Sequence, residues 1–174
     1  MLNDILLRIS ETGYASLVRD TLWGYPIFET IHTIGIIMMF GSIALVDLRY
    51  IGFARILSAY ELGERHLLRF TWVGFALIAL SGLSLFTAYP VENIDNIAFK
   101  AKFVLIALAG LNMLFFNFRV ASGLATIPAR GSAMAVENAP DVPLAGRISV
   151  GLSLCLWTAT IACGRLIAYP EIFE

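Results

Sequence analysis

Four long apolar runs, at residues 27–48, 70–88, 97–118 and 148–168, constrain this sequence more than any other feature. A hydrocarbon core about 30 Å thick is crossed by about 20 apolar helical residues, so each run is long enough to span. The first opens after Pro26 and closes at Asp47-Leu48-Arg49. The second is entered through Glu64, Arg65, His66 and Arg69 and is stopped by Tyr89-Pro90. The third carries Lys100 and Lys102 in its first turns and ends at Arg119, and the fourth runs from Arg147 to Tyr169-Pro170. Proline sits at the boundaries, where a missing N–H costs little. The pattern predicts an all-α protein, an integral membrane four-helix bundle forming one transmembrane domain over residues 1–174. The first run is too long for the apolar region of a signal peptide, and no short basic segment precedes it.

Composition excludes the main alternatives. Of 174 residues, 59% are hydrophobic and 14% charged, with a mean hydropathy of +0.80. A soluble domain of this length cannot hide that much apolar surface, and a disordered chain has the opposite composition. Twelve Lys and Arg against 13 Asp and Glu give a net charge of -1, so no basic excess is present to neutralise nucleic-acid phosphates. The partner this composition implies is the lipid bilayer, with other membrane subunits or further copies of the chain as candidates beyond it.

Lys and Arg near the span ends set the orientation. The connections after spans one and three hold Arg49, Arg55, Arg65, Arg69, Arg119, Arg130 and Arg147, while the other side holds Arg8, Arg19, Lys100, Lys102 and Arg165. This bias predicts a multi-pass protein of the bacterial inner membrane with both termini periplasmic. The acidic stretch after Tyr89 then lies outside too. Residues 2–22 mix Leu2, Ile5, Leu6, Ile9, Leu17, Val18 and Leu22 with Asp4, Arg8, Glu11, Arg19 and Asp20. They are too polar to span and predict an amphipathic helix lying at the interface, with Trp23 and Tyr25 in the aromatic belt. Residues 49–66 suggest a similar surface segment on the inner side, and 119–147 a long excursion rich in Ala, Gly and Pro.

Ionisable groups inside a span are costly and mark candidate sites. Along span one, Glu29, His32, Thr33 and Asp47 share a stripe about 100° wide. Glu29 and His32, three residues apart, are helix-surface neighbours, either bonded to each other near the interface or part of a ligand or proton-handling site. Lys102 of span three lies at a similar depth and suggests a Glu29–Lys102 pair, with snorkelling of the lysine as the alternative. Asn112 lies deeper in the same span. The candidate cofactor-binding residues are His32, Glu29, Lys102 and Asn112, and the candidate metal ligand is His32. His66 cannot share one iron with His32, because the rise from His32 to Leu48 alone is about 24 Å. Met38, Met39 and Met113 are potential soft ligands, although methionine in a span is usually packing. Small residues on one face of span two (Thr71, Gly74, Ser81, Gly82, Ser84, Ala88) read as helix packing. Cys155 and Cys163, about 12 Å apart along one helix, cannot bridge.

The run Trp23, Tyr25, Pro26, Glu29, His32, Gly35, Gly41 and Asp47-Leu48-Arg49 resembles the start of an uncharacterised family of bacterial four-helix integral membrane proteins, a domain of unknown function. The likeness continues through Ser81-Gly82, Leu85-Phe86, Phe99, Lys102, residues 109–112, Trp157 and Gly164-Arg165. More distantly, the layout is similar to the copper resistance protein D group and the membrane protoporphyrinogen oxidase. The oxidase-like relatives imply haem or porphyrin handling through the early histidine, which maps to His32. The copper group implies periplasmic copper passage. The oxidase pattern places a histidine in span three where this chain has Asn112 and Asn117, and neither Met nor His is clustered here as copper passage asks. Three functions follow as expectations. The first is binding of haem b or a quinone beside His32 in the outer half of the bundle, for redox or cofactor handling. The second is a non-catalytic interaction subunit of a larger membrane complex. The third is copper or small-molecule passage.

Overall fold

The computed structural model describes residues 1–51, 64–116, 118 and 144–169. Every regular element among them is helical: α1 Leu2–Ser10, α2 Gly13–Asp20, α3 Gly24–Ile51, α4 Glu64–Ala88, α5 Pro90–Asp95, α6 Ile97–Phe115 and α7 Leu144–Leu166. Four stretches are long and apolar enough to cross a membrane: Gly24–Leu48, Arg69–Ala88, Ile97–Phe115 and Leu144–Leu166. These are the four expected spans, with α7 starting four residues earlier than the apolar run suggested. Large apolar side chains cover the outside of the helices, Leu80 at 68% exposure and Ile37 at 66% among them. Such a surface is stable in lipid and costly in water. The two surface segments expected between spans fall largely on residues outside those described.

The spans pack as two antiparallel pairs, α3 with α4 and α6 with α7, joined mainly through α3 and α7. The first pair is held at a glycine crossing. A Cβ on Gly74 would stand 2.7 Å from the Met39 nitrogen, and one on Gly35 would stand 2.9 Å from the Gly74 carbonyl. Only residues without side chains let the two backbones come so close, the usual route to helix association in lipid. The small-residue face of span two is thus spent on packing, as expected. The second pair is joined by a reciprocal hydrogen bond: Asn112 Nδ2 donates to the Ser149 carbonyl and Ser149 Oγ donates to Asn112 Oδ1, both at 2.9 Å. By contrast, α4 and α6 meet only sparsely, and a cavity opens between the pairs.

The N-terminal segment is two helices rather than the single one expected over 2–22. Thr12 explains the break. Its hydroxyl accepts from the Ala15 N–H, capping α2, and donates to the Ile9 carbonyl at the end of α1. Ala15 and Val18 are fully buried, Tyr14 meets Ser84 Oγ through its hydroxyl at 2.7 Å, and Arg19 donates to the Ala88 carbonyl at 3.3 Å. These contacts seat α2 on the end of α4, while Leu2, Ile5, Leu7, Leu17 and Leu22 face outward.

The acidic stretch after Tyr89 forms α5, started by Pro90 in its first turn. Asn96 then joins two helix ends. Its Oδ1 accepts from the Ala98 and Phe99 N–H groups to cap α6, and its Nδ2 donates to the Ile167 carbonyl just past α7. The terminus-bearing side of the bundle therefore holds α1, α2, α5 and the near ends of all four spans.

Candidate functional site

The cavity between the two helix pairs has a volume of about 880 Å³ and is lined from α3, α4, α5, α6 and α7. That volume lies in the upper part of the range for small-molecule and cofactor sites. It occupies the terminus-bearing half of the bundle. Its walls are mostly apolar, with Phe86 and Phe99 stacked at 5.8 Å across the α4–α6 seam and Phe103 packed edge-on against Phe99. Polar and charged groups also line it, among them Glu29, His32, Glu92, Asp95, Lys102 and Arg165.

His32 is the best-defined of these. Its Nδ1 lies 3.0 Å from Ser81 Oγ. The single Ser81 hydroxyl hydrogen is committed to the Leu77 carbonyl in its own helix, so the serine oxygen accepts and His32 Nδ1–H donates. That assigns the proton to Nδ1 and leaves a lone pair on Nε2, and the Ile78 backbone of α4 is a further hydrogen-bonding neighbour of the ring. Gly82 makes the geometry attainable: a Cβ there would stand 3.0 Å from His32 Cε1. The ring edge therefore rests on the bare backbone of α4. An imidazole held at one nitrogen on the wall of a cavity can offer its other nitrogen to a metal.

Lys102 is the second element. Its Nζ lies near Gly164, where an added Cβ would stand 3.5 Å from it. The ion pairs among the described residues are the N-terminus with Asp4 and Arg19 with Asp20. Lys102 thus lines the cavity as a cation with no carboxylate in contact. Arg165 also lines it and lies over the Tyr169 ring at 5.7 Å.

The expected residues divide clearly. Glu29, His32 and Lys102 line one cavity, although Glu29 is exposed and bonds neither of the others. Asn112 stands apart. Ten residues beyond Lys102, about 15 Å along α6, it faces α7, and its amide is spent on Ser149. Asp47 lies toward the opposite end of α3, outside the cavity. His66, in the first turn of α4, is 15 residues from Ser81, about 22 Å along the helix. Met39 lines the cavity but sits about 10 Å along α3 from His32, too far to share one metal with it. Sequence reasoning missed Ser81 as the histidine's partner and Arg165 as a lining residue. The adjacent Ser81-Gly82 pair, a hydroxyl beside a missing side chain, was the available signal.

Comparison with protein-family models, with curated proteins and with solved structures finds no match to this chain.

Proposed function

We propose that this chain is a multi-pass membrane protein that binds haem b in the cavity beside His32. The observation that carries the reading is the His32 ring, held by Ser81 at Nδ1 on the wall of a cavity of about 880 Å³. Among the described residues no three of His, Cys, Asp or Glu come together as a metal site. A bare copper ion would thus meet one nitrogen, whereas a tetrapyrrole, which carries its own nitrogen donors, could be held by His32 alone. The donor set favours haem over copper passage. Lys102 and Arg165 line the cavity together with Glu29, Glu92 and Asp95, and the two cations are the groups that would pair with the carboxylates of a macrocycle. When bound, such a group supplies one-electron redox chemistry at its iron, and the protein's own part is to hold, orient and shield it.

Two further considerations support this. His32, to which the early histidine of the oxidase-like relatives maps, lines the cavity, as does Lys102. The charge bias of the connections favours periplasmic termini, an orientation that puts the cavity in the outer half of a bacterial inner membrane. An interaction subunit is the weaker reading, because the small residues of α4 that would form its contact already meet α3.

The test is the visible spectrum of the full chain purified in mild detergent with haem supplied. A Soret band, lost in His32→Ala and retained with weaker loading in Lys102→Ala, is expected. A featureless spectrum with no extractable porphyrin overturns the proposal. An extractable quinone in its place would assign the cavity to that ligand.

A further inference from the structure

Two helical turns beyond the cavity, α3 carries a second ionisable group. Asp47 is seven residues past Phe40, the deepest α3 residue of the cavity lining, and so lies on the same face of the helix about 10 Å further on. It is 9% exposed, and its Oδ2 is buried with no hydrogen-bond partner. The Ser153 hydroxyl of α7 is the polar group beside it. Four residues from Ser153, the Asn112–Ser149 pair extends the buried polar chain to α6. Four facts therefore converge: a carboxyl group inside a span, nine-tenths buried, with one oxygen unpartnered, in line with the cavity.

A buried carboxylate with an unpartnered oxygen is among the costliest groups a span can hold, and it is relieved by a counter-ion or by a proton. The described cations at that end, Arg69 of α4 and Arg147 of α7, are exposed and make no ion pair. Arg49, Glu64, Arg65 and His66 belong to the same end by sequence. A hard metal ion asks for six or more oxygens, and Asp47 with Ser153 brings three. A proton needs only the one free oxygen. We propose that Asp47 is a proton-binding site in the inner half of the bundle. Its carboxyl is protonated at Oδ2 in the resting protein, and it exchanges that proton with the aqueous phase on the side opposite the termini. The site holds whatever fills the outer cavity.

The experiment uses the full chain in detergent or reconstituted in lipid. Dicyclohexylcarbodiimide, which enters apolar surroundings and adds to protonated carboxyls, is expected to label Asp47 at neutral pH, as mapped by peptide mass spectrometry. Labelling should fall as the pH is raised. The infrared C=O band of a protonated carboxyl should be present in the native chain and missing in Asp47→Asn, which keeps the shape of the neutral group. An unlabelled Asp47, or spectra identical in native chain and variant, overturns the proposal. Should Asp47→Asn fail to fold, labelling of the native chain decides alone, and an unlabelled carboxyl then marks a charge pair instead of a proton site.

Discussion

Ser81 holds the His32 ring at Nδ1, and it does so from a helix that the histidine's own sequence neighbourhood does not reveal. Spacing along α3 offered Glu29 as the partner, three residues away and on the same stripe. The ring instead turns into the α3–α4 seam, where Gly82 leaves room and Ser81 offers an oxygen with its hydrogen already spent. Glu29 is left exposed at the cavity mouth. His32, Glu29 and Lys102 line one cavity, but periodicity along a helix carries no information on which groups across a helix seam will touch. Ser81→Ala is expected to weaken haem loading by about 10- to 100-fold, the usual cost of losing an orienting hydrogen bond to a ligating histidine. It should leave the Soret band in place at saturating haem. A titration of the detergent-purified variant with haem checks this, and unchanged affinity would remove Ser81 from the site.

At the scale of elements, the span lengths were legible because lipid sets them, and the helix pairing was legible in part. Gly35 and Gly74 hold the α3–α4 crossing by having nothing to keep apart. Gly74→Ala forces a methyl group to within 3 Å of two backbone atoms that cannot move independently of their helices. A loss of about 1–3 kcal/mol is expected from such overpacking, read as a lower midpoint of unfolding in mixed detergent. Gly110, where an added Cβ meets nothing within 4 Å, is the matched control and should tolerate alanine. On the other pair, Asn112→Ala removes both hydrogen bonds to Ser149 and should cost about 0.6–2 kcal/mol, with haem loading unchanged because the cavity lies elsewhere. Asn112, a candidate from sequence, is instead engaged with Ser149 of α7. An amide deep in a span is costly unless paired, and whether the pair is a ligand or a neighbouring helix depends on the direction it faces. The break at Thr12 was hidden for a different reason: a hydroxyl that both caps one helix and ends another acts locally, against an apolar pattern that runs on through residue 22.

For the whole molecule, the arrangement of charge ties function to topology. α1, α2, α5 and the cavity share the terminus-bearing side, and the buried Asp47 lies toward the other. If the seven arginines of the connections face the cytoplasm, the cavity opens near the periplasmic leaflet and Asp47 lies near the cytoplasmic one. Both assignments reverse together if the chain inserts the other way. A reporter active only in the periplasm, fused after Glu174, should therefore be active, and a cytoplasm-specific reporter at the same point silent. A fusion within residues 119–147 should give the opposite pair of signals. The bias rests on few charges, so it should also be open to manipulation. Replacing Arg49, Arg55, Arg65 and Arg69 with neutral residues removes four of the seven retained charges and leaves the five on the other side in excess. That variant is expected to invert part of the population. Signals from the reverse orientation in the native chain would move the cavity to the cytoplasmic leaflet and would make Asp47 a proton site of the periplasmic half.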